Sequence, residues 1–211
     1  GGGDGRATVL CKTPEGQGAV WQIQISSATV GSESFSIPSA IKVVGSSGTD
    51  SIGGVVSTNN DVMFPNKRGW YSLGPEKNYY GILRTNEISS RIRPYWRSLI
   101  GSEMDNTAAY FKDAKVFISV TTTGTSNNRT IIYDLERMNW TVDWTIGARQ
   151  FLEYTTTGGV TKFLYVAPTG NKLIELSQDI SGDLGAGFST SYLSGRWQLS
   201  NLFKDFLKVN K

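Results

Sequence analysis

Residues 61–73, DVMFPNKRGWYSL, return in altered form at residues 130–142, TIIYDLERMNWTV. In both copies a short apolar run leads into a polar turn, and the following strand opens on a tryptophan, Trp70 or Trp140. A weaker copy lies at residues 162–176, KFLYVAPTGNKLIEL. Runs of β-branched and aromatic residues separated by Asn, Asp, Gly or Pro are typical of β-hairpins. The sequence therefore predicts a series of short antiparallel hairpins.

Repeated hairpins that each contain a buried aromatic residue indicate an all-β protein built as a β-propeller or a partial propeller. Four-stranded blades of propeller repeats need about 40 to 50 residues each. A chain of 211 residues with 24 glycines therefore has room for roughly four blades, or for part of a larger ring. We expect Trp70, Tyr133, Asp134 and Trp140 to be structural anchors of these hairpins.

One segment departs from the strand pattern. Ile88, Ile92, Trp96 and Leu99 recur at helical spacing, while Pro94 interrupts the run. We expect a short helical insertion near residues 86–100, made of two separate turns. The expected domain division is a propeller-like domain over residues 1–180, a linker over 181–187 and the start of a further β segment over 188–211.

The first long strand candidate shows strict alternation. Trp21, Ile23 and Ile25 fall on one face, and Gln22 and Gln24 fall on the other. Period-two alternation of this kind predicts a sheet with one buried face.

The residue inventory restricts the chemistry. The chain has no histidine and a single cysteine, Cys11, so Ser-His-Asp catalysis, Cys-His catalysis and cysteine-rich metal sites are excluded. Carboxylate-pair hydrolysis is the catalytic alternative that remains, with five candidate acids. They are Asp61, Asp105, Asp134, Glu136 and Asp143. Since Asp side chains at hairpin ends commonly bond the turn backbone, we expect structural roles, no enzyme activity, no cofactor and no metal.

The concentrated positive charge lies in and beside the helical insertion. The candidate residues for a subunit interface or for contact with DNA phosphates are Arg84, Arg91, Arg93, Trp96 and Arg97. The alternative is a solvated helix face with Ile92 and Trp96 turned into the core. The net charge of +3 does not by itself argue for a nucleic-acid partner. No run of about 18 apolar residues is present, so we expect no membrane span.

The order of these segments resembles that in propeller-bearing virion proteins of tailed bacteriophages, the tail nozzle, hub and DNA-stabilisation proteins. The residues that carry the resemblance are 59–74, NNDVMFPNKRGWYSLG, and the Ile-Ser-x-x-Ile stretch at 88–92. They continue with an aromatic strand at 109–111, the Tyr-Asp hairpin at 130–140 and a strand-like segment at 203–209. Nozzle proteins are much longer, so the resemblance implies either their propeller portion or a smaller relative.

The resemblance implies a non-enzymatic structural protein of the virion, in the tail or neck, made in the host cytoplasm. Its implied partners are copies of itself in a ring around the DNA channel, neighbouring tail or portal and adaptor proteins, and DNA contacted without sequence specificity. Two alternatives stay open. One is a carbohydrate-binding or glycan-degrading propeller at a receptor-binding tip, and the other is a propeller interaction module unrelated to phage.

Overall fold

A computed structural model describes residues 6–11, 18–44, 48–59, 61–75, 83–170, 172–176, 182–183, 186–187 and 190–191. The described chain is predominantly β, which confirms the all-β class. Its strands are β1 (Arg6–Cys11), β2 (Ala19–Val30), β3 (Glu33–Val44), β4 (Val56–Ser57), β5 (Val62–Asn66), β6 (Gly69–Pro75), β7 (Leu83–Glu87), β8 (Ala108–Lys112), β9 (Lys115–Val120), β10 (Arg129–Asp134), β11 (Asn139–Trp144), β12 (Gln150–Thr155), β13 (Thr161–Val166), β14 (Leu173–Glu175), β15 (Gly182–Asp183), β16 (Ala186–Gly187) and β17 (Thr190–Ser191).

The strands form antiparallel sheets in which sequence neighbours are also spatial neighbours. Sheet A has the order β1-β2-β3, sheet B the order β4-β5-β6-β7, and sheet D the order β12-β13-β14. Sheet C has the order β8-β9-β10-β11, with β17 added beside β11. Strands β15 and β16 pair only with each other among the described residues. The fold is thus a succession of up-and-down meanders.

Sheets B, C and D pack face to face in that order, and sheet A contacts sheet B at the base of its strands. Sheet C is covered on both sides because alternate residues of each strand point to opposite faces. The face that carries Ile118 and Ile131 shares a core with Trp70 of sheet B and Trp96 of the insertion. The opposite face, with Phe117 at its centre, packs against aromatic residues of sheet D. Each fully buried large side chain contributes about 1.5–3 kcal/mol relative to an exposed one.

The first strands of successive sheets lie next to one another. Strand β8 packs against both β4 and β12. The backbone N–H of Ala109 in β8 donates to the carbonyl oxygen of Gly53, just before β4, at 2.9 Å. On the other side the Lys112 ammonium pairs with the Glu153 carboxylate of β12, and the Tyr110 hydroxyl donates to the same carboxylate at 3.3 Å. In sheets B, C and D the first strand of each meander therefore lies beside the first strand of the next.

The predicted helical insertion is present. A 3₁₀ segment at Ile88–Ile92 is followed by α1 (Arg93–Arg97), in which Pro94 occupies the first turn, and a second 3₁₀ segment follows at Gly101–Asn106. Pro is tolerated there because the first N–H groups of a helix have no intrahelical acceptor. The prediction of two short helical turns is correct, and the second 3₁₀ segment and strand β7 were not predicted.

The expectation that the strand with Trp21, Ile23 and Ile25 has one buried face is wrong for most of sheet A. Trp21 and Ile23 are only partly covered, and Ile25 is 58% exposed. We call the hairpin of β2 and β3 (residues 19–44) the arm. Its base alone is anchored, because Leu10 and Val20 join a cluster with residues of sheet B. Each face of the arm carries exposed apolar side chains, because Ile25 lies on one face and Ile41, which pairs with Gln22, lies on the other. Alternation in β2 alone therefore does not predict which face is polar or which is buried, since β3 supplies half of each face.

The expected division at residue 180 remains a prediction. Short strands β15 and β16 lie within the expected linker, and β17 lies within the expected further segment. The strand expected near residues 202–209 lies outside the described residues.

Candidate functional site

The candidate arginines sit on the insertion and on the strand before it. Arg91 lies in the last turn of the first 3₁₀ segment, and Arg93 and Arg97 lie four residues apart on α1, on the same side of the helix. All three side chains are exposed. Arg84 belongs to β7, where its backbone pairs with Gly74. The structure thus places three candidate guanidinium groups on one exposed surface.

Trp96 does not belong to that surface. It is 1% exposed, packs edge-on against Trp70 with ring centroids 6.0 Å apart, and donates its indole N–H to the carbonyl oxygen of Asn66 at 3.0 Å. Ile92 is buried beside it. The structure therefore removes Trp96 from the candidate contact residues and shows the alternative in which this helix face enters the core.

Two further arginines reach the same end of the molecule from hairpin turns. Arg91 donates to the carbonyl oxygen of Met138 at 3.4 Å, which places it beside the β10–β11 turn that carries Arg137. The charge of Arg68, in the β5–β6 turn, acts on the Tyr71 hydroxyl together with that of Arg93. Sequence analysis missed both because they are distant in the chain from residues 84–97. We call Arg68, Arg91, Arg93, Arg97 and Arg137 the arginine surface.

Few carboxylates neutralise this surface. Arg93 makes a two-point contact with Glu87, at 3.1 Å and 2.6 Å, and Arg137 lies 3.9 Å from Asp134 with its side chain 80% exposed. Within the described part of the chain, Arg68, Arg91 and Arg97 have no carboxylate at ion-pair distance. The surface consequently keeps a net positive charge.

The two tyrosines next to the arginine surface, Tyr71 and Tyr133, have hydroxyl groups whose pKa is raised above the ordinary value. Burial is the main reason that the pKa of Tyr71 is raised, and Glu87 raises it further while Arg68 and Arg93 oppose the shift. Burial also raises the pKa of Tyr133, against the opposing charge of Arg91. These hydroxyl groups are therefore neutral at physiological pH, and they do not reduce the positive charge of the surface.

The four anchor residues are buried within the hairpins where the sequence puts them. Trp70 and Trp140 are 0% and 1% exposed. Trp140 packs on Tyr133 with centroids 5.1 Å apart and donates its indole N–H to the Ile88 carbonyl oxygen at 3.3 Å. The Asp134 carboxylate accepts the backbone N–H of Arg137 at 2.9 Å, which closes the β10–β11 turn.

Among the candidate catalytic acids, Asp143 has the most developed surroundings. It is buried, accepts from the Tyr95 hydroxyl at 3.4 Å and lies 3.5 Å from the Arg129 guanidinium. Burial, with Asp143 as the second cause, raises the pKa of Tyr95. Asp105 and Glu136 are exposed, and the Asp61 carboxylate lies against the backbone of Gly74. The hydrogen bond of Asp134 closes a turn, and that of Asp143 joins β11 to α1.

The described residues contain no group of three or more potential metal ligands, and none of their helices is both long and apolar enough to cross a bilayer. No protein-family model matches the sequence, and no curated protein matches it either.

Proposed function

We propose that this chain is a non-enzymatic structural subunit of a tailed-bacteriophage virion, in the tail or neck, which assembles into a ring with copies of itself. In this proposal sheets B, C and D are successive blades of a propeller or partial propeller. Two features support the blade assignment. Sheets B and C each contain a four-stranded meander, and the first strands β4, β8 and β12 are neighbours, as the innermost strands of a propeller are.

The observation that carries the assembly role is the arm. Its strands have 12 residues each and so extend about 40 Å at the usual rise per residue. Phe35, Ile37 and Ile41 are 50%, 48% and 56% exposed and alternate along one face of β3, while Ile25 is exposed on the other face. Exposed apolar surfaces of this kind are typical of protein contacts.

The arm needs an additional contact for its own stability. A two-stranded hairpin with no further packing is only marginally stable in water. Strand β1 pairs with β2 between Ala19 and Gln24, and beyond Gln24 the described arm has only its two strands. We assign a second copy of this chain as the partner that covers it.

Two features favour a second copy of this chain as the partner that covers the arm. The arm contains one acid and one base, Glu33 and Lys42, so identical arms do not repel each other. At its base, Leu10 and Val20 already pack on Phe64 and Leu73 of sheet B. Phe35, Ile37 and Ile41 continue the same face of the arm outwards, by the strand register. The face of the arm that packs on sheet B within one chain thus continues outwards as an exposed apolar surface, which a second copy can cover.

The test is the oligomeric state of the full chain, measured by light scattering during size-exclusion chromatography. We expect a closed oligomer for the unaltered chain and a monomer for the double variant Phe35→Ser/Ile37→Ser. The matched control is Ile52→Ser/Val160→Ser, which removes two exposed apolar side chains outside the arm and should leave the oligomer intact. A monomeric unaltered chain, or an arm variant that still assembles, contradicts the assembly role.

The virion location needs a separate test. Antibodies raised against the chain should label the tail or neck of phage particles released from the host that encodes it, as seen by electron microscopy. Particles without label, or label confined to a receptor-binding tip, contradict the proposed position. In the second case a glycan array becomes the decisive measurement.

A further inference from the structure

We propose that the arginine surface binds the phosphate backbone of duplex DNA without reading its sequence. This inference rests on the proposed function in one respect, because it names a partner for the subunit. The evidence for the site itself comes from charge and geometry and does not depend on membership of a virion.

The first step is the assembly of charge from three separate parts of the chain. Arg68 comes from the β5–β6 turn, Arg91 and Arg97 from the insertion, and Arg137 from the β10–β11 turn. All four side chains are exposed. Arg137 lies near Asp134, but Arg68, Arg91 and Arg97 have no carboxylate at ion-pair distance in the described part of the chain. Such guanidinium groups attract polyanions, and binding releases the counterions condensed on the nucleic acid.

The second step is the rigidity of the platform. Trp96 fixes α1 to the β5–β6 hairpin through its hydrogen bond to Asn66, and Arg91 contacts the β10–β11 turn at Met138. The backbone N–H of Lys67 donates to the buried Asp50 carboxylate at 2.7 Å, which holds the turn next to Arg68. Because these segments are held by the core, the spacing of the charges is largely set before any ligand binds.

The third step is the shape of the surface, which favours contact with the backbone. Base readout requires an element that enters a groove, commonly a helix or a two-stranded ribbon. Helix α1 has only five residues, so it is about 7.5 Å long, and its Trp96 face is buried in the core. Arginine offers planar paired donors that match phosphate oxygens. The surface therefore fits phosphates, and among the residues that the structure describes it presents no element long enough to enter a groove and read bases.

The charges belong to turns and to the insertion and to none of the first strands β4, β8 and β12. DNA bound to the arginine surface therefore contacts the β5–β6 turn, the β10–β11 turn and the helical segments between them in space.

The experiment measures binding of the full chain to a fluorescent 30-base-pair duplex by anisotropy between 50 and 200 mM NaCl. Four phosphate contacts predict a slope of log K against log salt of about −3.6, which is roughly a hundred-fold loss of affinity over this range. Two duplexes of unrelated sequence should bind equally. Absence of binding at 50 mM, or a strong preference between the duplexes, overturns the proposal.

Two matched variants distinguish DNA binding at the arginine surface from attraction of DNA to any exposed positive residue. Arg91→Ala/Arg97→Ala should reduce the slope by about 2 and lower the affinity at 50 mM at least ten-fold. Arg149→Ala/Lys172→Ala removes the same charge from exposed residues outside the arginine surface and should change the slope by much less. Equal losses in the two variants overturn the site. Equal melting temperatures establish that both variants are folded.

Two further measurements test the ligand class and the link to assembly. Binding to anionic phosphatidylserine vesicles that is stronger than to DNA, and is abolished by Arg91→Ala/Arg97→Ala, overturns DNA as the ligand. The monomeric arm variant should still bind the duplex, because Phe35 and Ile37 lie outside the arginine surface. If assembly fails but DNA binding follows the predicted slope, only the proposed function is contradicted; if assembly holds and DNA binding fails, only this inference is.

Discussion

Trp70 and Trp96 meet edge to face in the core between sheets B and C, yet only Trp96 has a hydrogen-bond acceptor for its indole N–H. The Trp96 nitrogen donates to the Asn66 carbonyl oxygen at 3.0 Å. The Trp70 nitrogen is buried with no hydrogen-bond partner among the described residues. Two equally buried indoles therefore differ in one interaction.

We expect Trp96→Phe to destabilise the protein by about 1–3 kcal/mol more than Trp70→Phe. Both changes remove the same atoms from the same core, but only the first leaves the Asn66 carbonyl oxygen without its donor. Urea unfolding followed by tryptophan fluorescence measures the difference. Equal losses at the two positions would show that the Trp96 hydrogen bond contributes no net stability.

The buried side-chain amide of Asn127, in the loop between β9 and β10, joins three loops at one end of sheet C. Its Nδ2 donates to the carbonyl oxygens of Asn106 at 2.6 Å and Ala148 at 2.8 Å, and its Oδ1 accepts from the Thr121 hydroxyl at 3.0 Å. Asn127→Ala should therefore cost about 3 kcal/mol, because it leaves several buried polar groups unpaired. The neighbouring Asn128→Ala is the control, since Asn128 is only partly buried and bonds within its own loop. A control loss as large as that of Asn127→Ala would contradict the bridging role.

The β8–β9 turn places Asp113 and Ala114 at φ values of 48° and 57°. Both values lie in the left-handed region that two-residue hairpin turns of type I′ require. Ala114→Gly should stabilise the protein by about 1 kcal/mol, because glycine adopts this conformation without steric cost. Gly159→Ala, at φ +79°, should have the opposite effect for the same reason. Thermal unfolding of both variants checks the signs, and a loss of stability in Ala114→Gly would refute the turn assignment.

Ionisation of the Tyr95 hydroxyl should lower the free energy of unfolding at alkaline pH. Burial raises its pKa above the ordinary value of 10.0 in the folded state, with Asp143 as the second cause. A raised folded pKa means that the native state keeps its proton when the unfolded state loses it, so stability is complete below pH 10 and falls as pH rises above it. Tyr95→Phe should flatten this fall above pH 10. An unchanged pH dependence in the variant would exclude Tyr95 as a source.

Much of the fold was predictable from sequence because hairpins are local. The strands around Trp70 and Trp140 and the helical break at Pro94 follow from alternation, turn residues and the missing N–H of proline. Strand β7 was missed because its sequence, LRTNE, has neither apolar alternation nor aromatic residues. It forms a strand through pairing with β6, from Tyr71 to Pro75.

The candidate site was predictable only in part. Helical spacing places Arg93 and Arg97 on one side of the helix, but it does not decide whether Trp96 joins the exposed surface or enters the core. Trp96 enters the core because sheet B supplies a hydrogen-bond acceptor at Asn66 and a packing partner at Trp70.

The sequence by itself determined where the chain forms hairpins, where it becomes helical, and that Trp70 and Trp140 anchor their hairpins. These features depend on contacts between residues that are close in the chain. Tertiary structure alone decided that Arg68 and Arg137 join Arg91, and that the arm's apolar residues remain exposed. Those outcomes depend on how one sheet packs against the next, and that packing joins residues whose separation along the chain leaves no local pattern.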